Sequence, residues 1–230
     1  MDFFDIDTVF FEIGGYPMSY LEFFGTLAGA VAVWLTARAN ILGWPIGLIN
    51  VTLFFFLFFQ VQLYPDMFLQ AFFFATNLVG WWRWSHPKPD EANPESELKV
   101  SFLAGRQWLY LFATGIAGTA LLGALASNLH RWIPAVFSKP GAFSYLDSFV
   151  TVMSVVATFL MVQKKAECWL VWIAVDLVAC GLYLAKDIRL VAAEYLVFCF
   201  IAGFGFWHWV REYRGYPDVE GRGADSRLSA

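Results

Sequence analysis

Trp169, Trp172 and Asp176 stand at i, i+3 and i+7 of one apolar run, which puts them on one face of a helix. Two indoles one turn apart, with a carboxylate one turn further along, suit a flat cation. Ring faces attract positive charge, by about 2 kcal/mol where the pair is desolvated. Two such Trp also fit an interfacial belt ring plus a packing ring, but a belt does not account for a carboxylate that deep. Gln70 and Asn77 are seven apart and share a face of another apolar run. Amides donate and accept, which suits a carboxamide or sugar hydroxyls, and equally suits hydrogen bonds between membrane helices. Asn50 follows Trp44-Pro45-Ile46-Gly47, the counterpart of the stretch from Trp169 to Trp172, with Gly47 leaving room where Trp172 stands. The candidate solute contacts are Trp169, Trp172, Asp176, Asn50, Gln70, Asn77, Tyr195 and Trp44. Glu194 is either a further member or an interfacial partner of Lys186 or Arg189.

Other chemistries lack their residues. There is no Gly-rich phosphate loop, nucleophile elbow or pair of catalytic carboxylates. His86, His130 and His208 are scattered and give no metal-ligand spacing. Cys168, Cys180 and Cys199 fall in apolar runs without CxxC spacing and read as unpaired small hydrophobes. No cofactor is expected. No Lys/Arg cluster offers a nucleic-acid surface, and so few intramembrane carboxylates argue against Na⁺ or H⁺ coupling.

The elements that must position these residues are membrane helices. Of 230 residues, 59% are hydrophobic and 15% charged, against about 25% charged in soluble domains. Seven segments meet the roughly 20-residue apolar requirement for a span: 20–37, 44–63, 67–84, 102–126, 145–163, 168–185 and 190–210. Residues 1–18 hold four acidic residues and no Lys or Arg, so they read as a short interfacial helix and not as a signal peptide. Residues 85–100, rich in Pro and charge, read as a solvated linker. Residues 127–143 read as an irregular loop, and 211–230 as a cytoplasmic tail that is disordered beyond Tyr213.

Residues 19–84 align without a gap on 144–209 at a constant offset of 125, with 14 identities over 66 positions. Ser19-Tyr20-Leu21-Glu22 matches Ser144-Tyr145-Leu146-Asp147, and Gly80-Trp81-Trp82-Arg83-Trp84 matches Gly205-Phe206-Trp207-His208-Trp209. Ser19-x-x-Glu22 and its variant Ser144-x-x-Asp147 read as capping boxes opening each copy. The organisation is thus a three-helix repeat (19–84), a connector holding one span (85–143) and a second repeat (144–210). The extra span makes the copies parallel, as in SWEET-type carriers.

The 3+1+3 pattern, the Trp169-Leu170-Val171-Trp172 pair and the Gly80–Trp84 ending together resemble the bacterial PnuC transporters of nicotinamide riboside. The likeness covers about residues 18–212. It implies an all-α, SWEET-like integral membrane fold, a homotrimer in the inner membrane, facilitated diffusion without ion coupling, and trapping of the solute by a cytoplasmic kinase. It also implies a solute that is a flat pyridinium with a carboxamide and a ribose. A SWEET-like carrier of sugars or another small vitamin fits the parallel repeat equally well. A receptor does not need a gapless repeat, and an enzyme needs catalytic groups that are missing.

With the N-terminus outside, the inner segments carry 11 of the 15 Lys and Arg and the outer segments 4. Positive charge concentrates in the cytoplasm, so the C-terminus is expected there. A reporter fused after Tyr213 should be active only in its cytoplasmic form; periplasmic activity would reverse the orientation.

Overall fold

The computed structural model describes residues 3–13, 15–62, 64–93, 95–132, 143–185 and 189–216. Two strands, β1 (Val9–Ile13) and β2 (Tyr16–Ser19), precede seven helices. These are α1 (Tyr20–Ala37), α2 (Gly43–Gln60), α3 (Tyr64–Ser85), α4 (Gly105–Trp132), α5 (Ser144–Val162), α6 (Cys168–Ala185) and α7 (Arg189–Arg214). Among the described residues six helices, all but α3, are long and apolar enough to cross a membrane. The remaining one, α3, has 22 residues, and Gln70, Thr76, Asn77 and Arg83 lower its apolarity. Large apolar side chains such as Ile116 (71% exposed) and Phe200 (74%) cover the outer helix faces, as a lipid-facing surface requires. The chain forms two compact units, Met1–Lys99 and Val100–Ala230.

In the first unit, the expected short helix before α1 is instead an antiparallel hairpin. Val9-Phe10-Phe11 favours a strand, and Gly15, at φ +86, supplies the turn. Phe10 packs on Tyr20 and Phe23, with ring centroids 4.7 and 5.1 Å away. Gln60 holds the segment from below: its Nε2 donates to the Phe4 carbonyl at 2.7 Å, and the Ile6 amide donates to its Oε1 at 3.1 Å. Ser19 caps α1 through the expected box, with both reciprocal bonds present. Among the described residues of 85–99, several are bonded into the fold where a solvated linker was expected. The Leu98 amide donates to the Trp84 carbonyl (2.9 Å), Arg83 pairs with Glu91 (2.7 Å), and Leu98 is buried. The guanidinium of Arg83 holds the Glu91 carboxyl below the usual carboxylate range.

In the second unit, α4 lies on α5 along Gly115, Gly118 and Gly123, which face Met153, Val152 and Tyr145. Small residues permit such close approach in lipid. The helix of the fourth span, Gly105–Trp132, starts later and ends later than the expected 102–126. The rest of the 127–143 loop, residues 133–142, lies outside the described residues, as does the tail beyond 216. The second capping box is displaced: Phe143 occupies the cap position of α5 and Ser144 is its first helical residue. Segment 100–103 is stitched to the α5–α6 loop. Ser101 donates to the Lys164 carbonyl and accepts from the Ala166 amide (3.0 and 2.9 Å), while the Leu103 amide donates to Glu167 (2.9 Å). Buried Lys164 reaches Glu212 of α7 at 3.9 Å.

The α1–α2 and α5–α6 loops follow the same path, with a series of matching bonds at an offset of 125. Arg38 donates to Trp34 and Gln163 to Phe159, both at 3.2 Å. Ala39 donates to Thr36 and Lys164 to Met161, both at 2.9 Å. Asn40 donates to Leu35 at 3.0 Å and Lys165 to Leu160 at 2.9 Å. Ala39 (φ 55) and Lys164 (φ 52) both adopt the left-handed conformation that ends the helix. Past each loop an indole locks the next two helices. Trp44 packs edge-on against Trp84 (5.3 Å, 86°) over Gly80, and Trp169 against Trp209 (5.6 Å, 88°) over Gly205.

A Cβ at Gly205 would stand 2.6 Å from Trp169, and one at Gly80 would meet Trp44 as closely. Gly80→Ala and Gly205→Ala should each cost about 1–3 kcal/mol of stability through overpacking. Gly203→Ala, with nothing within 4 Å, should be neutral or slightly stabilising, since Ala is the better helix former. Thermal unfolding in detergent reads the difference; equal effects at all three positions would contradict the lock.

Candidate solute-binding site

Helices α6 and α7 run antiparallel, held at one end by Trp169 on Gly205 and at the other by Tyr183 stacked on Tyr195 (5.5 Å, 16°). Between these contacts the remaining α6 candidates fall on the face the sequence gives them. Trp172 is half-buried, and its indole Nε1 is enclosed without a hydrogen-bond partner among the described residues. Asp176, one turn further along, is 4% exposed. Among the described residues no hydrogen bond or ion pair to it is present. A carboxylate in a membrane helix is costly and is normally paired or turned to a polar cavity.

Trp169 is 2% exposed and enclosed by Gly205 and Trp209. Its ring is a packing element, and Trp44 is the same in the first unit. Trp172 is thus the α6 indole with a free portion of surface. Tyr195 is half-buried, stacked on Tyr183 and edge-on to Phe198 at 6.3 Å. Tyr183, seven residues beyond Asp176 on the same α6 face, is a polar neighbour that the candidate set left out. Glu194 is exposed; its expected pairing with Lys186 or Arg189 involves side chains outside the described residues.

In the first unit the three amides are separated by role. Asn50 Nδ2 donates to the Gly25 carbonyl of α1 at 2.8 Å, tying α1 to α2. Asn77 Nδ2 donates one turn back to the Phe73 carbonyl at 2.8 Å, while its Oδ1 fills the space over Gly47. The room expected at Gly47 is therefore occupied by Asn77. Gln70 borders a groove of about 290 Å³ between α2 and α3, whose apolar walls include Val51, Phe55, Phe56 and Phe74. No group of three or more His, Cys, Asp or Glu among the described residues has metal-site geometry. The second unit thus offers an indole and a carboxylate, which suit a flat cation, and the first offers amides, which donate and accept.

The profile of the family described as "Nicotinamide mononucleotide transporter" matches residues 19–211. The chain is 32% identical to the "Nicotinamide riboside transporter PnuC" of Escherichia coli (strain K12), over 93% of this chain and 96% of that protein. It is 24% identical to the "Riboflavin/roseoflavin transporter RibM" of Streptomyces davaonensis, over 86% and 88% respectively. Its fold matches a solved structure titled "Crystal structure of the Vitamin B3 transporter PnuC", with a TM-score of 0.60 and 23% identity, covering 86% of this chain and 83% of that one.

Proposed function

This chain belongs to the nicotinamide mononucleotide transporter family, and we propose that it carries nicotinamide riboside across the bacterial inner membrane. The observation that carries this reading is Asp176: a buried carboxylate on a membrane helix, one turn from the half-buried Trp172. A pyridinium satisfies both groups at once, since the indole face and the carboxylate each attract its charge. The E. coli relative of that name, alike over nearly its whole length, supports the same solute. In this reading Trp172 meets the ring and Asp176 balances its charge. Trp169 and Trp44 hold the helices, Tyr195 is the polar contact of the second unit, and Asn50, Gln70 and Asn77 are the polar candidates of the first. A neutral flat vitamin is the second reading, favoured by the likeness to the riboflavin carrier; Asp176 weighs against it.

The recurrence of loop bonds and Trp-on-Gly locks at the offset of 125 supports two copies of one three-helix unit joined by α4, with α3 the seventh span. The charge distribution supports an outer N-terminus and a cytoplasmic C-terminus. A homotrimer and trapping by intracellular phosphorylation complete the proposal, and the scarcity of intramembrane carboxylates in the sequence supports facilitated diffusion.

Losing a desolvated cation–π contact of about 2 kcal/mol weakens binding roughly 30-fold. Trp172→Ala should lose that much affinity for nicotinamide riboside in purified protein, while Trp132→Ala, at the exposed end of α4, should lose little. Asp176→Asn should weaken a cationic ligand more than a neutral analogue of the same shape; equal losses would assign Asp176 to structure.

In liposomes, uptake should equilibrate and gain nothing from an imposed Na⁺ or proton gradient. Sustained accumulation of unmodified solute would rule out uncoupled transport.

A further inference from the structure

The two units treat one position in opposite ways. In the first, Gly47 on α2 is the small residue and Asn77 on α3 fills the space above it. At the offset of 125 the same pair in the second unit is Trp172 on α6 and Ala202 on α7. Large and small have changed helices. Ala202 is 2% exposed, so its surroundings are filled, and its level on α7 is bracketed by two observed contacts. Trp169 meets Gly205 on one side and Tyr183 meets Tyr195 on the other. Counting inward along antiparallel helices, three residues on from Trp169 and three back from Gly205 bring Trp172 opposite Ala202.

We infer that Ala202 is the positioning residue for the Trp172 indole: its small side chain leaves on α7 the room that Asn77 fills in the first unit. A larger side chain at 202 displaces the indole from the seam, although position 202 itself need not touch the solute. The inference rests on the reading that Trp172 meets the solute only for its effect on binding; the packing claim stands apart from it.

Ala202→Asn is the informative change, because the first unit shows how that side chain sits. The introduced amide can donate to the Phe198 carbonyl one turn back, as Asn77 does to Phe73. Thermal unfolding of Ala202→Asn, Trp172→Gly and the double variant tests the packing without any solute. Ala202→Asn should lower Tm, and adding Trp172→Gly should recover most of the loss, since the pair then repeats Asn77 over Gly47. Additive losses would overturn the inference. Nicotinamide riboside binding supplies the second reading. Ala202→Asn should weaken it roughly 30-fold, as removal of the indole does. The same change in a Trp172→Ala background should cost nothing more. Wild-type affinity in Ala202→Asn, or a further independent loss in that background, would also overturn it. If the unmodified protein binds no nicotinamide riboside, the proposed solute is wrong, and the Tm cycle still decides whether Ala202 seats Trp172.

Discussion

In lipid, burying apolar surface does not draw helices together, because the tails outside are as apolar as the side chains inside. Close packing must do it. In this chain two matched close approaches come where a Trp ring lies on a helix glycine: Trp44 on Gly80 with Trp84 at its edge, and Trp169 on Gly205 with Trp209. The glycine removes the Cβ that would hold the helix off, and the indole fills the space with a large rigid surface at little cost in rotamer freedom. Everything proposed to meet solute in the second unit hangs from that contact. Trp172 and Asp176 are one and two turns along α6 from Trp169, so their level on α7 is set by where Trp169 seats.

The end of the second unit is held differently. Segment 100–103 pairs with the α5–α6 loop, Lys164 is buried against Glu212, and Tyr216 donates to the same Glu212 at 2.8 Å while accepting from the Val100 amide. A buried ammonium is tolerated only with a carboxylate near it. The first-unit counterpart of Lys164 is Ala39, which keeps the left-handed backbone without the charge. The same loop thus serves as a bare turn in one unit and as an anchor for α4 and α7 in the other.

The asymmetry between the units also bears on recognition. Beside its Trp lock the first unit sets Asn77 over Gly47, and the corresponding pair inferred for the second is Ala202 opposite Trp172. One unit carries an amide beside its lock and the other an indole. In the proposed reading it is the indole that meets the flat charged ring.

Hydropathy, the offset of 125, the Ser19 capping box and the shared face of Trp169, Trp172 and Asp176 were all legible in the sequence. Each depends on residues within one helix, or on the comparison of one stretch with another, and so needs no knowledge of what faces what. The tertiary structure decided matters of partnership. Trp169 and Trp44 are packing rings because glycines sit opposite them, a fact carried by a different helix. The space at Gly47 is filled because Asn77 lies across from it. Asn50 ties α2 to α1 by donating to the Gly25 carbonyl. The N-terminal residues form a hairpin because their rings find Tyr20 and Phe23 to pack on. Spacing along the chain gives the face a side chain occupies; only the neighbouring helix says whether that face is full.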